Sequence, residues 1–136
     1  MNTISIETRA REKGLRMTPQ RVMIAQVIDA AEDHPDAEEI RTRAQAHDAK
    51  ISLATIYRTL KQFEDEGILE RLDFGDGRAR FEDAKRAHHD HLLDMDTGEV
   101  IEFVDPEIEA LQEEIAKKLG YELIGHKFEL YGRKIK

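Results

Sequence analysis

The chain contains no cysteine and no tryptophan, and only three prolines and eight glycines among its 136 residues. Without cysteine there is no disulfide, no iron–sulfur cluster, no thiolate-held zinc and no cysteine nucleophile. It also has no glycine-rich phosphate loop and no Gly-x-Ser-x-Gly elbow. Apolar runs fall short of the roughly 20 residues that a membrane span needs. The opening residues 1–14 lack the apolar core of a secretory leader. The expectation is a cytoplasmic protein with no membrane partner. Charged residues make up 37 % of the chain and hydrophobic ones 40 %, a composition that folds rather than staying disordered.

The formal charge is -8 and is unevenly spread. Residues 1–81 hold 13 basic and 15 acidic side chains, and residues 82–136 hold 8 and 14. Arg9, Arg11, Lys13, Arg16 and Arg21 form a basic arm at the start, against Glu7 and Glu12. An acidic protein still binds nucleic acid if its basic groups share one face, and bound divalent cations would offset the remaining charge.

Cap and turn signals divide the chain into elements. A helix is expected over 4–13, stopped by Gly14, and another from the Thr18-Pro19 cap to about residue 31. Asp36 with Glu39 forms a capping-box signal for a third helix to about 46. Ser52 caps a fourth over 53–66, stopped by Gly67. Strands are expected over 68–72 and 79–82, joined through Gly75-Asp76-Gly77. After a hinge near 84–87, strands follow over 88–93 and 99–104, then a helix over 107–119 and a third strand over 123–131. The fold class expected is α+β. A winged helix-turn-helix DNA-binding domain over 1–83 precedes a small α/β dimerisation domain over 84–136, built from an antiparallel sheet plus a helix. So short a second half has a thin core and is expected to dimerise to bury its apolar face.

The fourth helix has two faces. Leu53, Ile56, Leu60 and Phe63 share one, while Arg58 lies nearly opposite with Ala54, Lys61 and Gln62, flanked by Thr55 and Tyr57. Arginine holds guanine in the major groove by two hydrogen bonds or clamps a phosphate. A solvated helix face would carry similar residues, but Arg78 and Arg80 beside a glycine turn suit a wing lying along a phosphate backbone.

His88-His89-Asp90-His91 is the sharpest feature of the chain. In a strand, His89 and His91 project to one side and His88 and Asp90 to the other, which makes two chelating pairs. His34, Glu82, Glu102, Glu109 and His126 are candidates for the remaining ligands. Taken singly, His34 reads as a loop histidine, Glu109 as a solvated helix carboxylate and His126 as a buried neutral histidine, while Glu102 is undecided. Nitrogen and oxygen donors suit iron(II), manganese(II), zinc or cobalt and disfavour copper(I). Affinity should fall in acid, because histidine ligates only when neutral. A small metallohydrolase is an alternative, but it would need an open coordination position and a general base, and it would leave the polar helix face unexplained. A metal buffer with no DNA role leaves the same face unexplained.

Gly14-Leu15-Arg16-Met17-Thr18 with Arg21, Ile51-Ser52-Leu53-Ala54-Thr55-Ile56-Tyr57-Arg58, Phe81-Glu82, His88-His89-Asp90-His91-Leu92, Gly98-Glu99-Val100-Ile101-Glu102-Phe103, and Gly125-His126 before Tyr131-Gly132 together resemble the Fur (ferric uptake regulator) family. The resemblance spans about 14–132. It implies a metal-activated repressor, not an enzyme, that binds double-stranded operator DNA as a homodimer and takes no small-molecule substrate. It implies an interdomain regulatory site of His34, Glu82, His89, His91 and Glu102, and a second site of His88, Asp90, Glu109 and His126. It also implies DNA contacts from Tyr57, Arg58, Thr55 and Ala54, with Arg16 reaching an A/T-rich minor groove. Iron(II) is the expected effector, with manganese(II) or zinc able to substitute and a manganese-responsive regulator as the alternative. One departure stands out. Many relatives carry a zinc-holding Cys-x-x-Cys pair where this chain has Asp94 and Thr97, so the resemblance is to the alphaproteobacterial branch lacking cysteine-held zinc. Dimer stability would then rest on apolar packing by Ile108, Leu111, Ile115, Phe128 and Leu130.

Overall fold

The structure is a computed structural model that describes residues 4–85 and 89–136. The chain divides into two compact units, Met1–Arg86 and Ala87–Lys136. The first contains α1 (Ile6–Glu12), α2 (Pro19–Ala30), α3 (Ala37–Gln45), α4 (Leu53–Asp65), β1 (Leu69–Asp73) and β2 (Ala79–Asp83). The second contains β3 (Asp90–Asp94), β4 (Val100–Phe103), α5 (Pro106–Lys118) and β5 (Glu129–Gly132). No helix among the described residues is long and apolar enough to cross a membrane.

Every helix of the first unit begins at a side-chain cap. Ser5, Thr18, Asp36 and Ser52 each accept a backbone N–H from the first turn, and Asp36 with Glu39 closes a reciprocal capping box. Gly67, at φ +72, ends the α4 turn, and the Ile68 amide reaches back to the Phe63 carbonyl at 2.9 Å. Ile24, Ile40, Ile56, Leu60 and Phe63 form the fully buried centre, joined by Ile6 of α1. Thr59 is buried among them, while Leu53 is only half-buried.

β1 and β2 form the antiparallel wing, in the register Leu69 to Asp83 through Asp73 to Ala79. β2 has a second neighbour. The Phe81 amide donates to the Pro35 carbonyl at 3.0 Å, and Asp36 forms an isolated bridge with Arg80. The loop between α2 and α3 is thus stitched to the outer edge of β2.

Arg9 of the basic arm and Arg80 of the wing are buried inside the first unit, whereas Arg11, Lys13, Arg16 and Arg78 are exposed. Arg9 is buried and forks onto Asp83 at 2.7 and 2.5 Å, which also accepts the Lys85 amide. Arg11 pairs with Glu7, and Arg21 donates to the Arg16 carbonyl. Arg80 is 1 % exposed, paired with Asp76 and stacked 5.4 Å from the Phe74 ring centre. Arg78 bonds both Asp36 and Glu39. The carboxylates that hold Arg9, Arg11, Arg78 and Arg80 lie four to 74 positions away, and a count of local charge does not register such pairs.

In the second unit the strand order is β4-β3-β5, with β3–β4 antiparallel and β3–β5 parallel. The third strand is shorter than expected. It covers Glu129–Gly132 only, because the parallel ladder begins where His91 faces Glu129. Residues 121–128 have no ladder partner there, and Ile124 is 99 % exposed. His126, expected within a strand over 123–131, therefore lies outside β5. Among the described residues α5 buries none of its side chains; Leu111, Ile115 and Leu119 are exposed on it, as is Leu130 on β5, while Ile108 and Phe128 are half-buried.

The 94–97 turn, where thiolates are missing, is closed by a carboxylate. Asp94 is buried, and one of its oxygens accepts the Asp96 and Thr97 amides at 2.9 and 3.2 Å. Its backbone bonds Glu99 and Gly98, and the neighbouring Met95 amide reaches Gly132 of β5. The Asp96 amide, then the Thr97 amide, lower the Asp94 pKa below its ordinary 3.8 against the opposing effect of burial. A lowered native pKa adds stability above 3.8 that is lost as the pH falls through the folded value. Asp94→Asn should therefore melt at a lower temperature than the natural chain at neutral pH. Thermal melts at decreasing pH should show the gap narrowing below pH 3.8; a gap of constant size would mean the ionised carboxylate does not hold the turn.

Candidate metal centres and nucleic-acid interface

Within the first unit, His34 Nε2 stands 3.1 Å from Glu82 Oε2, with both side chains 5 % exposed. The strand pairing explains this encounter. The hydrogen bond from Phe81 to Pro35 places the residue before Pro35 beside the residue after Phe81. Two arginines hold the same loop from either end. Arg43 forks onto Asp33 at 2.9 and 2.6 Å, and Arg78 reaches Asp36 at 2.9 Å and Glu39 at 2.8 Å. The Arg43 fork lowers the Asp33 pKa. Burial pushes Asp36 up, but the Glu39 amide and Arg78 outweigh it, and the net shift is downward.

Within the second unit, β3 separates two groups. The His89 and His91 rings meet edge to face with centroids 4.8 Å apart. Glu102, opposite His91 in the β3–β4 register, places Oε1 3.4 Å from His89 Nε2. Asp90 points elsewhere: its Oδ1 is 3.2 Å from His126 Nε2, and Glu109 Oε1 is 3.5 Å from the same nitrogen. His126 comes from the segment just before β5, which pairs in parallel with β3, and the first turn of α5, capped by Asp105, supplies Glu109. His88 lies outside the described residues.

The Asp90, Glu109 and His126 donors all lie within 4.8 Å of one another. Donors on a divalent ion at bond lengths of about 2.1 Å stand roughly 3 to 3.5 Å apart, close to the two distances here. An imidazole Nε2 carries at most one hydrogen and cannot donate in line to two carboxylates, whereas a cation among them satisfies all three. The imidazole–carboxylate pairs at 3.1 and 3.4 Å fit the same chemistry, and the donor set is oxygen and nitrogen throughout.

The outer face of α4 presents Ala54, Tyr57, Arg58 and Lys61 to solvent, with Thr55 half-buried. The face is ordered at its start: the Thr55 amide donates to Ser52 Oγ at 3.1 Å, and Arg58 Nη2 donates to Thr55 Oγ1 at 3.3 Å. Tyr57 is 53 % exposed. Arg16 is exposed, and its carbonyl receives Arg21. The clamps at Arg9, Arg43 and Arg78 were not singled out by sequence reasoning. Only the Asp36/Glu39 box gave a local signal near one of them.

The profile of the ferric uptake regulator family matches residues 12–131. The ferric uptake regulation protein of Rhizobium leguminosarum bv. viciae is 54 % identical over 132 residues, which cover 97 % of this chain and 93 % of that protein. A solved zinc-bound manganese uptake regulator is 54 % identical, with TM-score 0.84, over 97 % of this chain and all of that one. The ferric uptake regulator of Vibrio cholerae, solved with rearranged DNA-binding domains, is 41 % identical with TM-score 0.86, over 94 % of this chain and 98 % of that one. Imidazole–carboxylate donor groups in both units, a winged-helix first unit and these matches along nearly the whole length agree: the chain belongs to the ferric uptake regulator family, whose members are DNA-binding transcription regulators and not enzymes.

Proposed function

We propose that this chain is a cytoplasmic, homodimeric repressor that binds A/T-rich palindromic operators when charged with iron(II) and controls genes of iron uptake and homeostasis. Manganese(II) as the signal is the second reading, favoured by the likeness to a manganese uptake regulator. The observation that carries the proposal is that each unit holds a preassembled imidazole–carboxylate pair, His34 with Glu82 in the first and His89 with Glu102 in the second. We assign these four with His91 to one regulatory site, and His88, Asp90, Glu109 and His126 to a second.

His34, Glu82, His89, His91 and Glu102 would hold a divalent ion, which would supply positive charge and link ligands drawn from both units. His34 and Glu82 are rigidly anchored to the wing, so constraint at their donor atoms is passed to the body that carries α4. Arg58 and Tyr57 would then meet base edges and phosphates, with the exposed Arg16 as the minor-groove contact. The spacing of two such helices in a dimer selects a palindromic site. The ligands favour the binding-competent arrangement without touching DNA themselves.

The test is fluorescence anisotropy on an A/T-rich palindromic duplex at fixed salt, first with chelator, then with anaerobic iron(II), manganese(II) and zinc. Binding only with metal supports the switch, and the ion acting at the lowest free concentration identifies the signal. His89→Ala should weaken metal-dependent DNA binding at least tenfold, about 1.4 kcal/mol; unchanged binding would remove the regulatory site as drawn. Arg58→Ala should weaken specific binding by about 1 to 3 kcal/mol and leave metal uptake intact. Loss of metal uptake in that variant would contradict the division of labour. Sedimentation of the chelator-treated chain should show a dimer held by the exposed α5 stripe, and Ile115→Lys should shift it toward monomer.

A further inference from the structure

We infer that Arg43 and Arg78 are positioning residues for metal capture, each clamping one end of the short segment that carries His34 so that its imidazole is held against Glu82. This rests on the reading of His34 and Glu82 as metal ligands. His34 lies between two aspartates, and each is engaged by a different arginine. Arg43, from the last turn of α3, forks onto both oxygens of Asp33. Arg78, from the wing just before β2, places Nε on Asp36 and Nη2 on Glu39. Between the clamps, Pro35 has its φ fixed by its ring, and its carbonyl is tied to the Phe81 amide.

Neither clamp is explained as a stabiliser of the fold. Both arginines and the Asp33 and Glu39 carboxylates are well exposed, and surface ion pairs add little to global stability. The planar fork of arginine fixes orientation better than a point charge does, and orientation is what a histidine ligand needs. With the clamps in place, the conformational freedom of residues 33–36 is lost on folding rather than on ion binding, which is how preorganisation raises affinity. Arg78 is thereby explained as well: it would serve as a phosphate contact by sequence, yet two carboxylates of its own unit hold it.

Cobalt(II) is the probe, with its visible absorption titrated into the full chain against a competing chelator. The site's signal is the part of that absorption lost in His34→Ala. The Arg43→Ala/Arg78→Ala chain should bind cobalt(II) at this site about tenfold more weakly. In the His34→Ala background the same pair of changes should alter cobalt(II) binding no further. Exchanging the partners, Asp33→Arg with Arg43→Asp, should recover most of the affinity lost in Arg43→Ala, which tests the clamp even if the double-alanine chain folds poorly. If His34→Ala abolishes the signal while the double-alanine chain binds like the natural one, the positioning role is overturned and the metal site stands. If the double change weakens binding equally with and without His34, the effect is general and the role is also overturned. If His34→Ala leaves cobalt(II) binding unchanged, the reading of the ligands fails, and this inference with it.

Discussion

Strand β2 is the member on which the first unit depends. One edge pairs with β1, and the other accepts the loop between α2 and α3 through the hydrogen bond from Phe81 to Pro35. That one contact fixes the phase of everything around it. Shifting the strand by one residue would turn Glu82 away from His34 and Arg80 out of its buried pocket, because side chains alternate faces along a strand. Arg78, Arg80 and Glu82 stand at every second position and so share a face. One anchors the start of α3, one closes the wing turn, and one meets the histidine. Arg80 and Glu82 are thereby directed inward, while Arg78 reaches the loop from the exposed rim of the wing.

Legibility in the sequence followed the range of the interaction. The caps at Thr18, Asp36 and Ser52 were readable because the signal and its partner lie within three residues. The apolar face of α4 was readable from its period, save for Thr59, whose hydroxyl side chain carries no hydrophobic signal though it is buried. The division of β3, with Asp90 turned from the His89 and His91 rings, follows from alternation alone. What could not be read are contacts between distant positions. The pairs of Arg9 with Asp83 and Arg78 with Asp36 join residues 74 and 42 positions apart, and each arginine looked free for DNA. The extent of β5 was misjudged for a related reason: alternating apolar residues describe a strand only where a neighbouring strand exists, and β3 ends the ladder at His91.

The lack of cysteine has a physical counterpart in the second unit. A turn that thiolates and zinc would close is closed here by Asp94 through two backbone amides. The sheet is held at that corner by hydrogen bonds to an ionised oxygen. The candidate metal donors of this unit are then imidazole and carboxylate groups alone, a set that suits iron(II), manganese(II) or zinc.

The burial of Arg9 and Arg80 also bears on how affinity for DNA would respond to salt. Each phosphate neutralised by a basic side chain releases a counterion and adds about 0.9 to the steepness with which affinity falls as salt rises. Arg9 and Arg80 are buried against carboxylates of their own unit, so neither is open to a phosphate. On the reading of α4 as the DNA-contacting helix, the salt dependence would be set by exposed groups such as Arg16, Arg58 and Lys61 rather than by the two buried guanidiniums.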